Sequence, residues 1–247
     1  MTTRRSRYMR HRFPPDVISY TVWLYHRFSL SFREVEEMLI ERGVDVTYET
    51  IRQWSIKFGA QYARRLKRRL GRLGNTWFLD EVFVTINGQR QYLWRAVDQD
   101  GDVIDILVQP RRDKRAARRF FRRLLKSQRR EPFRLVTDKL GSYRAAHREV
   151  MPLVTHDTRR YANNRAEESH QPTRQRERQM RGFKSPDQAQ RFLHVHGLIQ
   201  NLFRWSRHRL RAVHYRMLRA RSFAMWAAVT AARSLISESS ADSGPLS

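Results

Sequence analysis

The sequence predicts an α/β protein with a helical bundle first, a mixed sheet in the middle and helices after it. Three observations predict this. Apolar residues recur at helical spacing through residues 16–58. The period then changes, and residues 77–108 read as three strands separated by Asn87-Gly88 and Asp100-Gly101, dipeptides suited to tight hairpin turns. From about residue 164 to 235 the helical period returns, with Phe192, Val195, Leu198, Ile199, Leu202 and Phe203 on one face.

In the N-terminal part, Val17, Tyr20, Thr21, Leu24 and Phe28 mark a first helix, widened by Ile18, Val22 and Tyr25. Ser31 and Glu34 form a capping-box pattern that opens a second helix, whose buried face is Val35, Met38 and Leu39. Gly43 ends it. A third helix begins at Thr47, burying Ile51, Trp54 and Phe58 and leaving Glu49, Thr50, Arg52, Gln53 and Lys57 outward. This is a helix-turn-helix pattern. Its outer face carries the polar and basic mixture that suits base edges and phosphates, although a solvated three-helix unit would look the same. Residues 61–75 read as a basic linker helix ending in two glycines.

The middle segment continues with a helix at 114–127, a strand at 133–137 and a helix at 142–150. The order β-β-β-α-β-α places three antiparallel strands before a crossover to a parallel one.

Charge narrows the partner. Fifty Lys and Arg stand against 24 Asp and Glu, a net charge of +26, in a chain that is 40% apolar. So much apolar residue excludes a disordered polycation, and the surplus of cations points to a polyanion. The absence of cysteine excludes disulfides, thiolate zinc sites, iron–sulfur clusters and a cysteine nucleophile. The longest uncharged apolar run, residues 223–232, is about half the roughly 20 residues a membrane helix needs. The basic N-terminus runs into Pro14-Pro15 without an apolar stretch, which fits a phosphate-contacting arm and not a secretory signal.

Certain carboxylates are out of place. Asp80 lies within Trp77-Phe78-Leu79-Asp80-Glu81-Val82-Phe83-Val84 and shares a strand face with Phe78, Val82 and Val84, where a carboxylate is costly unless paired, protonated or metal-bound. Asp138 ends a second apolar strand. Neighbouring strand ends are where an open sheet gathers ligands. Glu167 and Glu168 precede an arginine-rich stretch, which suggests a metal site beside a phosphate track, although by local pattern alone a salt-bridged helix face is the stronger reading. His194 and His196, two residues apart, fall on different helix faces and are read as packing or phosphate contacts. Asp98, Asp100, Asp102 and Asp105 are read as turn carboxylates rather than a calcium loop, and Trp205 and Trp226 as core or dimer contacts.

Leu79-Asp80-Glu81-Val82, Val136-Thr137-Asp138-Lys139, Asn163-Asn164-Arg165-Ala166-Glu167, Ser169-His170-Gln171-Pro172-Thr173-Arg174 and Phe183-Lys184-Ser185, in this order, resemble the DDE transposases of bacterial insertion sequences, nearest the sixth insertion-sequence family. The resemblance runs from the helix-turn-helix to about residue 226. It implies an RNase H-like core in which Asp80, Asp138 and Glu167 hold two divalent ions, Mg²⁺ or alternatively Mn²⁺. Arg174, seven residues beyond Glu167, would meet DNA near the reacting phosphate. Asp138 and Glu167 are separated by 28 residues, a few fewer than the family usually has, so the intervening strand and loop should be short. Pro172 requires the helix to kink or start nearby.

The implied layout is a basic flexible arm at 1–15, a helix-turn-helix domain at 16–60, the linker helix at 61–75, an RNase H-like catalytic core at 76–185, C-terminal helices at 186–236 and a disordered tail at 237–247. The implied activity is metal-dependent DNA cleavage and 3′-OH strand transfer at the ends of an insertion sequence, with cointegrate formation. Expected DNA contacts are Arg52, Gln53, Lys57, Lys139, Arg174 and Arg178. The expected partners are double-stranded DNA, as element ends and target, and a second copy of the chain in a homodimer. The expected location is the bacterial cytoplasm, at the nucleoid through DNA. A non-catalytic helix-turn-helix regulator, or a nuclease of the same fold that does not join strands, would share much of this sequence.

Overall fold

The computed structural model describes residues 8–70, 73–159, 161–205 and 210–231. The first three helices are α1 (Pro15–Arg27), α2 (Phe32–Ile40) and α3 (Tyr48–Arg69). The Ser31 hydroxyl accepts from the Glu34 amide while the Glu34 carboxylate accepts from the Ser31 amide, which completes the capping box. Gly43 turns the chain at φ 73°, and Thr47 caps α3 by accepting from the Thr50 amide.

Two expectations change here. The linker is not a separate helix: α3 runs without a break from Tyr48 to Arg69, because Tyr62, Ala63 and Leu66 extend the buried stripe begun by Ile51, Trp54 and Phe58. Nor are residues 8–13 a free arm. Tyr8 is buried, stacks on Phe58 and donates to the Thr230 carbonyl, while Phe13 lies edge-on to Trp54. Apolar rings at positions 8 and 13 give this stretch something to bury, which the arginines around them do not. Residues 1–7 and the expected tail at 237–247 lie outside the described residues.

The sheet is formed by β1 (Thr76–Ile86), β2 (Gln89–Asp98), β3 (Val103–Gln109), β4 (Arg134–Val136) and β5 (Thr155–Asp157), in the order β3-β2-β1-β4-β5. β1, β2 and β3 pair antiparallel, and β4 and β5 continue parallel to β1. This is the RNase H-like arrangement. Asn87 and Gly88, both at positive φ, form the first hairpin turn. β5 is the short strand between Asp138 and Glu167.

Strand alternation divides the sheet. Trp77, Leu79, Trp94 and Ala96 face α4 (Lys114–Gln128) and α5 (Gly141–Val150), against Phe120, Phe121, Leu124 and Tyr143. Val84, Ile86, Leu93 and Ile106 face α8 (Pro186–Phe203), which joins them in one apolar cluster with α1, α3 and α9 (Ala212–Thr230). At Gly197 a Cβ would stand 3.3 Å from Val103, so the missing side chain lets α8 lie close on β3. α8 also covers the sheet edge. Asn201 bonds both the amide and the carbonyl of Val103, and Gln190 bonds the Val108 amide and the Ile106 carbonyl. Along the chain, α6 (Asn164–Ser169) and α7 (Gln171–Gln179) connect β5 to α8, with Pro172 in the first turn of α7, where its missing amide costs nothing. Among the described residues no helix is long and apolar enough to cross a membrane.

His196 donates from Nδ1 to the His26 carbonyl at 2.8 Å, and burial pushes its pKa from 6.5 down to about 3. It stays neutral in the fold while the unfolded chain takes up a proton below 6.5. Stability is therefore complete above that pH and lost as pH falls toward 3, by up to about 1.4 kcal/mol per unit from this ring. Urea midpoints measured from pH 7 to pH 5 should decline less in His196→Gln than in the native chain.

Candidate active site

β1 carries two carboxylates that point to opposite faces of the sheet. Asp80 is paired in register with Arg95 on β2 and faces α6 and α7, where His170 Nε2 lies 3.4 Å from Asp80 Oδ2. Glu81 faces α4 and α5. Its side chain is 1% exposed, it binds the Arg112 guanidinium, and burial pushes its pKa up to about 7 although Tyr143 and Arg112 pull the other way. Asp138 follows β4, the parallel neighbour of β1, and its Oδ1 accepts from the Leu140 amide at 2.9 Å where α5 is about to begin. Arg112 Nη2 is 3.7 Å from Asp138 Oδ2.

Asp80, Glu81 and Asp138 each offer an oxygen, all within 4.8 Å of one another. Three carboxylates with no nitrogen or sulfur donor form a set suited to a hard divalent cation, and the partly exposed Asp80 and Asp138 can be reached from solvent. The residues therefore fit a metal of that class.

Glu167 stands on α6, outside this group. It lines a cavity of about 590 Å³ together with Asp80, Glu168, His170 and Arg174. Asp80 is thus common to the carboxylate group and to the cavity. Lys139 is exposed beside Asp138. Arg178, one turn beyond Arg174, faces a different cavity with Arg33, Arg176 and Lys184. Arg52, Gln53 and Lys57 are exposed together on α3, with Arg52 and Gln53 bonded to Glu49 and Lys57 to His11. The expected site residues accordingly fall on two surfaces, one around Asp80 on β1 and the end of β4 and the other the outer face of α3, with Arg178 in a separate cavity.

The α6–α7 joint is fixed to the sheet by buried polar groups. Asn163 donates to the Leu79 carbonyl at 2.8 Å. Arg95, 3% exposed, donates to the Ser169 carbonyl and the Thr173 hydroxyl, and its desolvation lowers its pKa to about 10. His170, at the joint, reaches Asp80.

A model of the DDE domain of insertion-sequence transposases, of the IS240 type, matches residues 74–206. The chain belongs to the DDE transposases of the sixth insertion-sequence family. It is 33% identical over 169 residues to the transposase for insertion sequence-like element IS431mec of Staphylococcus aureus strain Mu50, covering 66% of this chain and 75% of that protein. The transposase for insertion sequence element IS257 in transposon Tn4003, also from S. aureus, is 32% identical with the same coverage. The HTLV-2 integrase catalytic core domain in complex with magnesium superposes at a TM-score of 0.38 and 13% identity, over 54% of this chain and 88% of that one. The strand order above, not that superposition, defines the fold.

The transposase also contains site residues that sequence reasoning passed over. Glu81 had a signal, a second charge inside an apolar strand, hidden by attention to its neighbour. Arg95 had none, since a single Arg in a basic chain looks ordinary, and His170 stood within the motif at 169–174 with no role of its own. Arg112 is one of eleven cations between 111 and 130.

The Asn163 bond predicts a measurable cost. Asn163→Ala strands the Leu79 carbonyl next to Asp80, so the chain should lose about 1–3 kcal/mol in denaturant unfolding. A change within a few tenths would mean that this carbonyl has another partner.

Proposed function

We propose that this transposase cuts DNA at the ends of its insertion sequence and joins the freed 3′-OH to target DNA, with Asp80, Asp138 and Glu167 as its metal-holding carboxylates. The observation that supports this reading most is the convergence of Asp80 and Asp138 from adjacent parallel strands, beside a cavity in which Asp80 meets Glu167 and Arg174. Glu81, buried and bound by Arg112, shapes that site from the opposite face, and Glu167 rather than Glu168 is favoured because Arg174 lies seven residues beyond it.

Mg²⁺, or Mn²⁺ in its place, is the proposed ion, and a pair of them when bound supplies Lewis-acid stabilisation of the charge that builds on the phosphate. The chain's own groups do the rest. Arg174 and Lys139 neutralise phosphate oxygens beside the carboxylates, Arg52, Gln53 and Lys57 present α3 to a DNA groove, and Arg178 continues the basic track between these surfaces. Water displaces the 3′ oxygen at the element end, and that hydroxyl then displaces a 3′ oxygen in the target, so no covalent link to the protein is needed. Cointegrate formation follows if each element end joins the target while its donor stays attached. Two ends must be held at once, for which a homodimer is proposed; a monomeric particle on paired ends would contradict it. The proposed setting is the bacterial cytoplasm, on nucleoid DNA.

Asp80→Asn, Asp138→Asn and Glu167→Gln should each bind end duplexes like the native chain in gel shifts, yet lose about 10³-fold or more in cleavage, as should the native protein with a chelator. Unchanged activity in all three would leave a DNA-binding regulator. Duplexes supplied pre-cut with a free 3′-OH should give joined products on a target plasmid. Cutting without any joining would make the protein a nuclease.

A further inference from the structure

Arg176 lies on α7, two residues past Arg174, and points the other way. Its side chain is among the most buried in the protein, at 1% exposure. Nη1 donates to the Leu30 carbonyl at 2.6 Å and Nη2 to the Tyr25 carbonyl at 2.9 Å. Its guanidinium carbon is 4.5 Å from the ring centre of Tyr25 and 5.3 Å from that of Phe192. Among the described residues it has no ion-pair partner. A buried guanidinium held by carbonyls and ring faces is costly to form and more costly to disturb, because any displacement leaves a desolvated charge without its acceptors.

Those acceptors belong to the DNA-binding bundle. Tyr25 is in the last turn of α1, where carbonyls lack helical partners, and Leu30 is in the turn into α2. Arg176 therefore finishes the C-terminal end of α1 from a helix of the catalytic half. One turn earlier on the same inner face of α7, Thr173 receives Arg95 from β2, the residue paired with Asp80. Two buried guanidinium groups thus hold the inner face of α7, Arg95 reaching it from the sheet and Arg176 reaching from it into the bundle. The outer face between them carries Arg174, and α6 next to it carries Glu167.

We propose that Arg176 is a positioning residue that transmits the seating of α1–α3 on an element-end duplex to the α6–α7 segment, and so to the placement of Glu167 and Arg174 over Asp80. This rests on the reading that α3 binds the element end and that α6 bears the third carboxylate.

Hydrogen exchange tests it on the full chain, with a duplex of the element's terminal sequence and no divalent ion added. In the native protein the duplex should slow amide exchange by about 10-fold in residues 164–179 as well as in α3. Arg176→Lys keeps the charge but loses the planar fork. It should bind the duplex within about 3-fold of native and keep protection in α3, lose the response in 164–179, and cleave saturated ends about 10- to 100-fold more slowly. Phe192→Leu, which removes one ring face and spares both carbonyl bonds, should give a partial loss of both responses. Glu167→Gln should abolish cleavage yet keep the exchange response. If Glu167→Gln cleaves normally, the carboxylate assignment fails while the coupling stands on its exchange data. The coupling is overturned if duplex binding leaves 164–179 unprotected in the native chain, if Arg176→Lys responds as the native chain does, or if its cleavage falls only in proportion to its binding. Should Arg176→Lys not fold, the native response and Phe192→Leu decide alone, and a native-like response in Phe192→Leu then overturns the coupling.

Discussion

Mutual repulsion of carboxylates where the middle of β1 meets the end of β4 is the constraint on which the rest of this structure depends. Asp80, Glu81 and Asp138 offer oxygens within 4.8 Å of each other, where two full negative charges repel by roughly 3 to 4 kcal/mol at an effective dielectric near 20. The fold relieves this in three ways without dispersing the group. Alternation along β1 sends Asp80 and Glu81 to opposite faces. Burial raises the Glu81 pKa toward neutrality, so that its charge is partly withdrawn, and Arg112 bridges it toward Asp138. What remains is a pocket of negative charge in a chain of net +26, a place that attracts divalent cations while the surrounding surface attracts phosphates.

Holding such a group requires rigid surroundings. α8 supplies much of this, packing on β3 through Gly197, closing the sheet edge with the amides of Gln190 and Asn201, and joining α1 through His196 and Gln200. The helix-turn-helix and the sheet consequently share one apolar cluster. Arg95 and Arg176 extend the same solidarity to α7. Their burial is tolerated because a guanidinium can satisfy two carbonyl or hydroxyl acceptors at once from a fixed plane, which a lysine cannot. These groups have no role in solubility or in direct phosphate contact; they add nothing to the exposed charge that makes the chain basic.

Much of the fold was legible in local pattern. The capping box at Ser31, the Thr47 cap, the Gly43 stop and the Asn87-Gly88 turn depend on residues a few positions apart, and each is present where its chemistry requires it. Asp80 and Asp138 stood out because a carboxylate in an apolar strand is physically anomalous. The break expected after α3 was absent, because cations near residue 68 mask a buried stripe that carries on through Leu66. The packed rings of Tyr8 and Phe13 were likewise hidden among arginines.

By itself, then, the sequence determined most of the elements and their order, the excess of positive charge and the two aspartates as candidates, since each follows from periodicity, turn chemistry or the anomaly of a carboxylate among apolar strand residues. Only the tertiary structure decided that Glu81 shares the aspartates' corner, that Glu167 and Arg174 open onto the same cavity as Asp80, and which of many arginines are interior. The reason is that a side chain's partner across the fold is set by strand register and helix packing. Arg95 meets Thr173 and Arg176 meets Leu30 over separations of 78 and 146 residues, far beyond any local pattern.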